Sequence, residues 1–156
     1  MLPAWLSIGT TICWEAQALG PVRILIVDDF EPWRRAICST LAGDAGLEVV
    51  GESPDGEDAV EKCEALRPHL VLLDIQLPKM NGFAAALRIR EVSPETKVLF
   101  LSSIQCRDVM HHALKVGAGM VVKADAARDL VAVIWAVIRN EPIVRFRFMD
   151  ENPAEF

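Results

Sequence analysis

Three patterns are missing from this 156-residue chain, and each absence closes off a class of function. Its four cysteines, Cys13, Cys38, Cys63 and Cys106, form no C-x-x-C pair and have no His at ligand spacing, so no zinc site is encoded. Four is an even number, which leaves disulfide pairing open by counting alone. Reduced thiols of a cytoplasmic protein are the expectation. A basic excess is also lacking: 16 Lys and Arg stand against 22 Asp and Glu, a net charge of −6, which argues against a nucleic-acid surface. Finally, no apolar run is long enough to cross a membrane. The longest, Leu130 to Ile138, has nine residues where a span needs about 20. Met1 to Gly20 lacks the positively charged start of a secretory signal and reads as an extension.

What is present is apolar content of 52%, enough for one domain to bury a core without metals or disulfides. From Val22 onward, short apolar runs alternate with helical periodicity. Strands are predicted over Val22 to Val27, Leu47 to Glu52, Leu70 to Leu73, Lys97 to Leu101 and Gly119 to Val122. Between them, Trp33, Ile37 and Leu41 mark one helical face, and Val60, Cys63 and Leu66 mark a second. A third helix is expected from about Phe83 to Glu91 and a fourth through Val109, Ala113 and Val116. The last runs from about Ala126 to Asn140, with Asp125 as a plausible N-cap. Five alternations of strand and helix imply an α/β fold, a doubly wound parallel sheet of five strands with helices on both faces. The expected division is an N-terminal extension (1–21), this domain (22–140) and a tail (141–156). In the tail, Val144, Phe146 and Phe148 alternate with Arg145 and Arg147, as in an edge strand or an amphipathic segment that folds on a partner.

In a parallel sheet all strand ends of one sense share an edge, where open α/β sheets bind ligands. Asp28-Asp29 end the first strand, Asp74 the third, Ser102 the fourth, and Lys123 follows the fifth. Three carboxylates in one crevice repel by ~4 kcal/mol per pair at about 4 Å and an effective dielectric near 20. A hard divalent cation bound by oxygens only, Mg²⁺, fits that need, with the Lys123 ammonium assisting. Asp74 is then placed as a nucleophile towards a phosphoryl group, which Ser102 could hydrogen-bond once attached. Singly, each acidic residue is as well explained as a turn or cap residue. Their occurrence together, in register, carries the argument.

These blocks, Val27-Asp28-Asp29, Leu73-Asp74 through Pro78 to Asn81-Gly82, Phe100 to Ser103 and Val122-Lys123, resemble the signatures of bacterial response-regulator receiver domains. The resemblance covers roughly 22–140 and implies the (βα)5 flavodoxin-like fold of a two-component signalling switch, like receivers often joined to helix-turn-helix output domains. It implies that Asp74 is the phospho-acceptor, charged by a histidine kinase or a phosphotransfer protein. It further implies that Asp29 directly, Asp28 largely through water and the backbone carbonyl of Gln76 hold Mg²⁺, and that Ser102 and Lys123 contact the phosphoryl group. Two positions depart from the pattern. Met120 stands where an aromatic switch residue is frequent, and Ala124 where a cis proline is common, so the Lys123-Ala124 bond is either trans with a different loop or strained.

Two further expectations concern partners. The last helix is apolar nearly all round: Leu130, Ile134 and Val137 can face the sheet, leaving Val131, Trp135 and Ile138 for a dimer, an effector or another part of this chain. The adjacent His111-His112 point about 100° apart and are expected to be exposed. The chain either acts through partners or is a piece of a longer regulator. Rival readings are a metal-dependent phosphohydrolase with an Asp nucleophile, for which neither a general acid nor a substrate cap is visible, and an adaptor that is never phosphorylated.

Overall fold

The computed structural model describes residues 20–141; the expected extension before residue 20 and the expected tail beyond Glu141 lie outside them. The strands are β1 (Val22–Val27), β2 (Leu47–Ser53), β3 (Leu70–Asp74), β4 (Lys97–Ser102) and β5 (Gly119–Val122). They form one parallel sheet in the order β2-β1-β3-β4-β5. The helices are α1 (Glu31–Ala42), α2 (Gly56–Leu66), α3 (Gly82–Val92), α4 (Arg107–Val116) and α5 (Ala126–Ile138). The strand order divides the helices between the two faces. The β1-to-β2 step runs opposite to every later step along the sheet, so right-handed crossovers put α1 on one face and α2, α3 and α4 on the other.

Packing follows this division. Ile24 and Ile26, Leu70 and Leu72, and Leu99 and Leu101 point towards α1 and α5, where they meet Ile37, Leu41, Leu130, Val133, Ile134 and Val137. The alternate residues Leu25, Val27, Val71, Leu73, Val98 and Phe100 pack against Ala59, Val60 and Cys63 of α2, Ala85 and Ile89 of α3, and Ala113 of α4. The strand period of two thus feeds two cores from the same residues. All five residues of β3 are buried, as a strand covered on both faces requires.

Several local expectations need correcting. Asp55 caps α2 by accepting from Asp58 N at 2.9 Å, and Gly56 is already helical. Asn81 caps α3 in the same way through Ala84 N. Asp125 makes no side-chain capping bond to α5, because a 3₁₀ turn, Lys123–Asp125, brings the chain into the helix in place of an extended cap residue. The helix ends at Ile138 and not at Asn140, whose φ of +57° has left the helical region. No cis peptide occurs among the described residues, so Lys123-Ala124 is trans and the loop differs.

The outer stripe of α5 is partly covered by its own chain. Trp135 Nε1 donates to Asp44 Oδ2 at 2.8 Å, and its ring lies over Gly46 in the loop between α1 and β2. Val131, Trp135 and Ile138 are each half-buried against the first core.

Candidate phosphoryl-transfer site

Because β1, β3 and β5 run in parallel, their carboxyl ends deliver side chains to one place. Asp28 is fully buried and Asp74 nearly so, while Asp29 is exposed. One carboxylate oxygen of each lies within 4.8 Å of the others. Burying two carboxylates requires compensation, and Lys123 supplies it: its Nζ stands 2.5 Å from Asp28 Oδ2 and 3.0 Å from Asp74 Oδ2. The remaining oxygens of both carboxylates accept backbone N–H groups, Phe30 N at 2.9 Å for Asp28 Oδ1 and Gln76 N at 3.0 Å for Asp74 Oδ1.

Burial pushes the Asp74 carboxyl above its usual range; the hydrogen bond from Lys123 opposes the rise and the charge of Asp28 adds to it. For Lys123, burial acts to lower the pKa, but its bonds to Asp28 and Asp74 outweigh that, and the ammonium is held above its ordinary value. The site therefore keeps its cation charged and restrains the charge on Asp74.

The surrounding loop holds Asp74 in place. Gly82 N donates to Ile75 O at 2.8 Å. A Cβ on Gly82 would stand 2.3 Å from Asp74 O and 2.7 Å from Ile75 Cα, so only glycine lets α3 start against the tip of β3. After Pro78, Lys79 takes a φ of +65° and Met80 N bonds back to Pro78 O at 2.7 Å, a tight turn with its central residue in the left-handed region.

Of the residues selected from sequence, Asp28, Asp29, Asp74 and Lys123 are brought together. Gln76 follows directly, its side of the loop tied to Asp74 through its N–H. Ser102 ends β4 fully buried, and its Oγ accepts from Ile104 N at 3.0 Å, bracing the next loop. Met120 packs in the second core opposite Phe100. His111 and His112 are both exposed, and the His112 ring meets Phe83 edge-on at 4.4 Å.

Two residues of α1 escaped the sequence reasoning. Arg34 Nη1 donates to Asp28 O at 2.7 Å, while its Nε pairs with Glu52 at 3.2 Å, which ties the acidic pair to β2. Trp33 places its ring 5.5 Å from the Lys123 ammonium. In the sequence, Trp33 has only a place on a helical face and Arg34 is not singled out, since contacts across loops leave no periodic signal.

The acidic crevice suits a hard, oxygen-liganded cation. Its donors are carboxylates only, two are buried and held by N–H groups, and exposed Asp29 leaves access for water. Mg²⁺ fits this donor set.

A five-stranded 2-1-3-4-5 sheet with three carboxylates, two of them buried, and a lysine at its carboxyl edge defines a receiver-type signalling domain. The sequence profile of the response regulator receiver domain matches residues 24–134, and the chain belongs to that family. It is 33% identical over 124 residues to the response regulator protein VraR of Staphylococcus saprophyticus, covering 79% of this chain and 59% of that protein. The chain thus spans less than two thirds of that relative's length. Among solved structures, the signal receiver domain of NarL from Mycobacterium tuberculosis matches with a TM-score of 0.73 at 28% identity, covering 78% of this chain and 99% of that one. A two-component response regulator of the LuxR family from Aurantimonas sp. matches with a TM-score of 0.75 at 25% identity, covering 79% and 89%. No helix among the described residues is long and apolar enough to cross a membrane.

Proposed function

We propose that this receiver is a phosphorylation-gated switch in which Asp74 accepts a phosphoryl group from a phosphohistidine on a histidine kinase or a phosphotransfer protein. A carboxylate oxygen of Asp74 forms a bond to phosphorus as the P–N bond to the donor imidazole breaks, and the departing imidazole takes a proton from solvent. The product is an aspartyl phosphate. Asp28, Asp29, Asp74 and the Gln76 carbonyl would hold Mg²⁺, which when bound neutralises charge on the phosphoryl oxygens. The observation that carries this reading is the Lys123 ammonium bound to Asp28 and Asp74 beside a third carboxylate.

The chain's own residues do three things in this reading. Asp74 presents its carboxylate, held through Oδ1 by Gln76 N. Lys123 leaves Asp74 Oδ2 for the incoming phosphoryl oxygens, keeping a positive charge at the site of transfer. Ser102, whose Oγ accepts from Ile104 N, donates its O–H to the phosphoryl group, so the loop before α4 shifts with it and the face of α4 and α5 changes. The protein would catalyse only its own phosphorylation and dephosphorylation, with no turnover of an external substrate. Its place is the cytoplasm, where kinase domains act, and its output passes to an effector or a second copy that meets the last helix.

The test is tryptophan fluorescence during titration with Mg²⁺ and then beryllofluoride, a phosphoryl mimic. A saturable change that needs both, and is lost in Asp74→Asn, supports the switch. No response to either would leave a receiver-fold adaptor.

A further inference from the structure

Trp33 lies in the first turn of α1, half-buried and packed on the first core, with its ring centroid 5.5 Å from Lys123 Nζ. Its indole N–H is buried and makes no hydrogen bond. A buried tryptophan is usually anchored by that N–H, so here the hydrogen bond does not fix the ring. What the site obtains from Trp33 is an apolar wall and a π face, and the π face is turned to the one ammonium that bridges Asp28 and Asp74. An ammonium within about 6 Å of an indole centroid is attracted by the ring quadrupole, more strongly as water is excluded.

We infer that Trp33 is a positioning residue for phosphoryl transfer, its ring face clamping the Lys123 ammonium that also binds Asp28 and Asp74. The deduction rests on the switch reading for its catalytic consequence but not for the contact itself. Lys123 has four flexible methylenes and must change partner when Asp74 is phosphorylated. Two carboxylates alone would let the ammonium follow whichever keeps its charge. An aromatic face held by its packing on the core restrains the ammonium, so it stays within reach of the phosphoryl oxygens instead of collapsing onto Asp28. The clamp is indifferent to the indole N–H, so phenylalanine should substitute for it and leucine, close to phenylalanine in bulk but without a π face, should not.

The experiment compares the full chain with Trp33→Phe and Trp33→Leu. In wild type, the ε-methylene protons of Lys123 should be displaced upfield by the ring current in a proton–carbon NMR spectrum. The displacement should be reduced but present in Trp33→Phe and absent in Trp33→Leu. At saturating Mg²⁺, phosphoryl incorporation from a small phosphoramidate should slow roughly three- to thirtyfold in Trp33→Leu and stay within about threefold of wild type in Trp33→Phe. Mg²⁺ affinity measured by calorimetry should change little in either. A wild-type Lys123 with no upfield displacement overturns the contact even if Trp33→Leu fails to fold. Equal incorporation rates in all three proteins overturn the positioning role. Failure of wild type to incorporate any phosphoryl group defeats the switch reading and the role together, while the ring-current result still decides the contact.

Discussion

Lys123 Nζ lies 2.5 Å from Asp28 Oδ2, joining the end of β5 to the end of β1 across β3 and β4, with Asp74 between them at 3.0 Å. This bridge explains how two buried carboxylates coexist, and it sets the protein's response to losing either partner.

Replacing Lys123 by methionine keeps the aliphatic stem and removes the charge. Asp28 and Asp74 then face each other without a cation, and stability in metal-free buffer should fall by up to about 3 kcal/mol. Mg²⁺ should bind more tightly, since the ammonium no longer competes for the same oxygens. Urea denaturation with and without Mg²⁺ measures both effects, and unchanged metal-free stability would show that the bridge is not what compensates these charges.

Asp74→Asn should behave in the opposite sense. Burial raises the folded-state pKa of Asp74 above its ordinary value, so the ionised carboxylate costs stability at pH above that raised value. As pH falls through it, the folded protein takes up a proton before the unfolded chain does, and the cost disappears by the ordinary carboxylate pKa. Without metal, the Asn variant should therefore melt higher than wild type near neutral pH, with the gap closing as the solution is acidified. A gap that widens on acidification would reverse the sign of the argument.

At Gly82, an alanine methyl would meet Asp74 O at 2.3 Å. Backbone on both sides leaves nothing flexible to yield, so Gly82→Ala should destabilise by about 1–3 kcal/mol. Because α3 and the tip of β3 must separate, it should also slow phosphorylation of Asp74. Chemical denaturation and incorporation rates would test the two parts; a variant as stable as wild type would contradict the packing.

Thiol reactivity should rank by burial. Burial pushes the Cys63 thiol up to about 12, and it raises Cys38 as well, with the Glu52 charge adding to the effect. Cys106 is exposed at the start of α4. Iodoacetamide near pH 8, read by peptide mapping, should modify Cys106 well before Cys38 and leave Cys63 intact until the protein unfolds. Early labelling of Cys63 would mean that the α2 face opens readily.

The strand–helix alternation and the acidic crevice were legible because both are encoded locally: apolar runs give the strands, and each functional residue sits at a strand end. Caps were harder. Asp55 and Asn81 cannot be told from turn residues in the sequence, because a cap and a turn use the same side chains for related purposes. The start of α5 differs for the reverse reason, since Asp125 has a cap's chemistry but is the last residue of a 3₁₀ turn. Least legible were the cross-loop supports, Arg34 on Asp28, Trp33 on Lys123 and Trp135 on Asp44, because residues 6, 90 and 91 positions apart meet only once the sheet is assembled. The trans bond at Lys123-Ala124 was left open by the sequence and follows from the loop geometry.

The most direct measurement of the central claim is intact-protein mass spectrometry after incubation with a small phosphoramidate, with Mg²⁺ or with chelator. One phosphoryl group per chain should appear only with Mg²⁺, should be released by hydroxylamine as an acyl phosphate is, and should be absent in Asp74→Asn. Incorporation that persists in Asp74→Asn, or continuous release of inorganic phosphate with no covalent adduct in the wild-type chain, would contradict it.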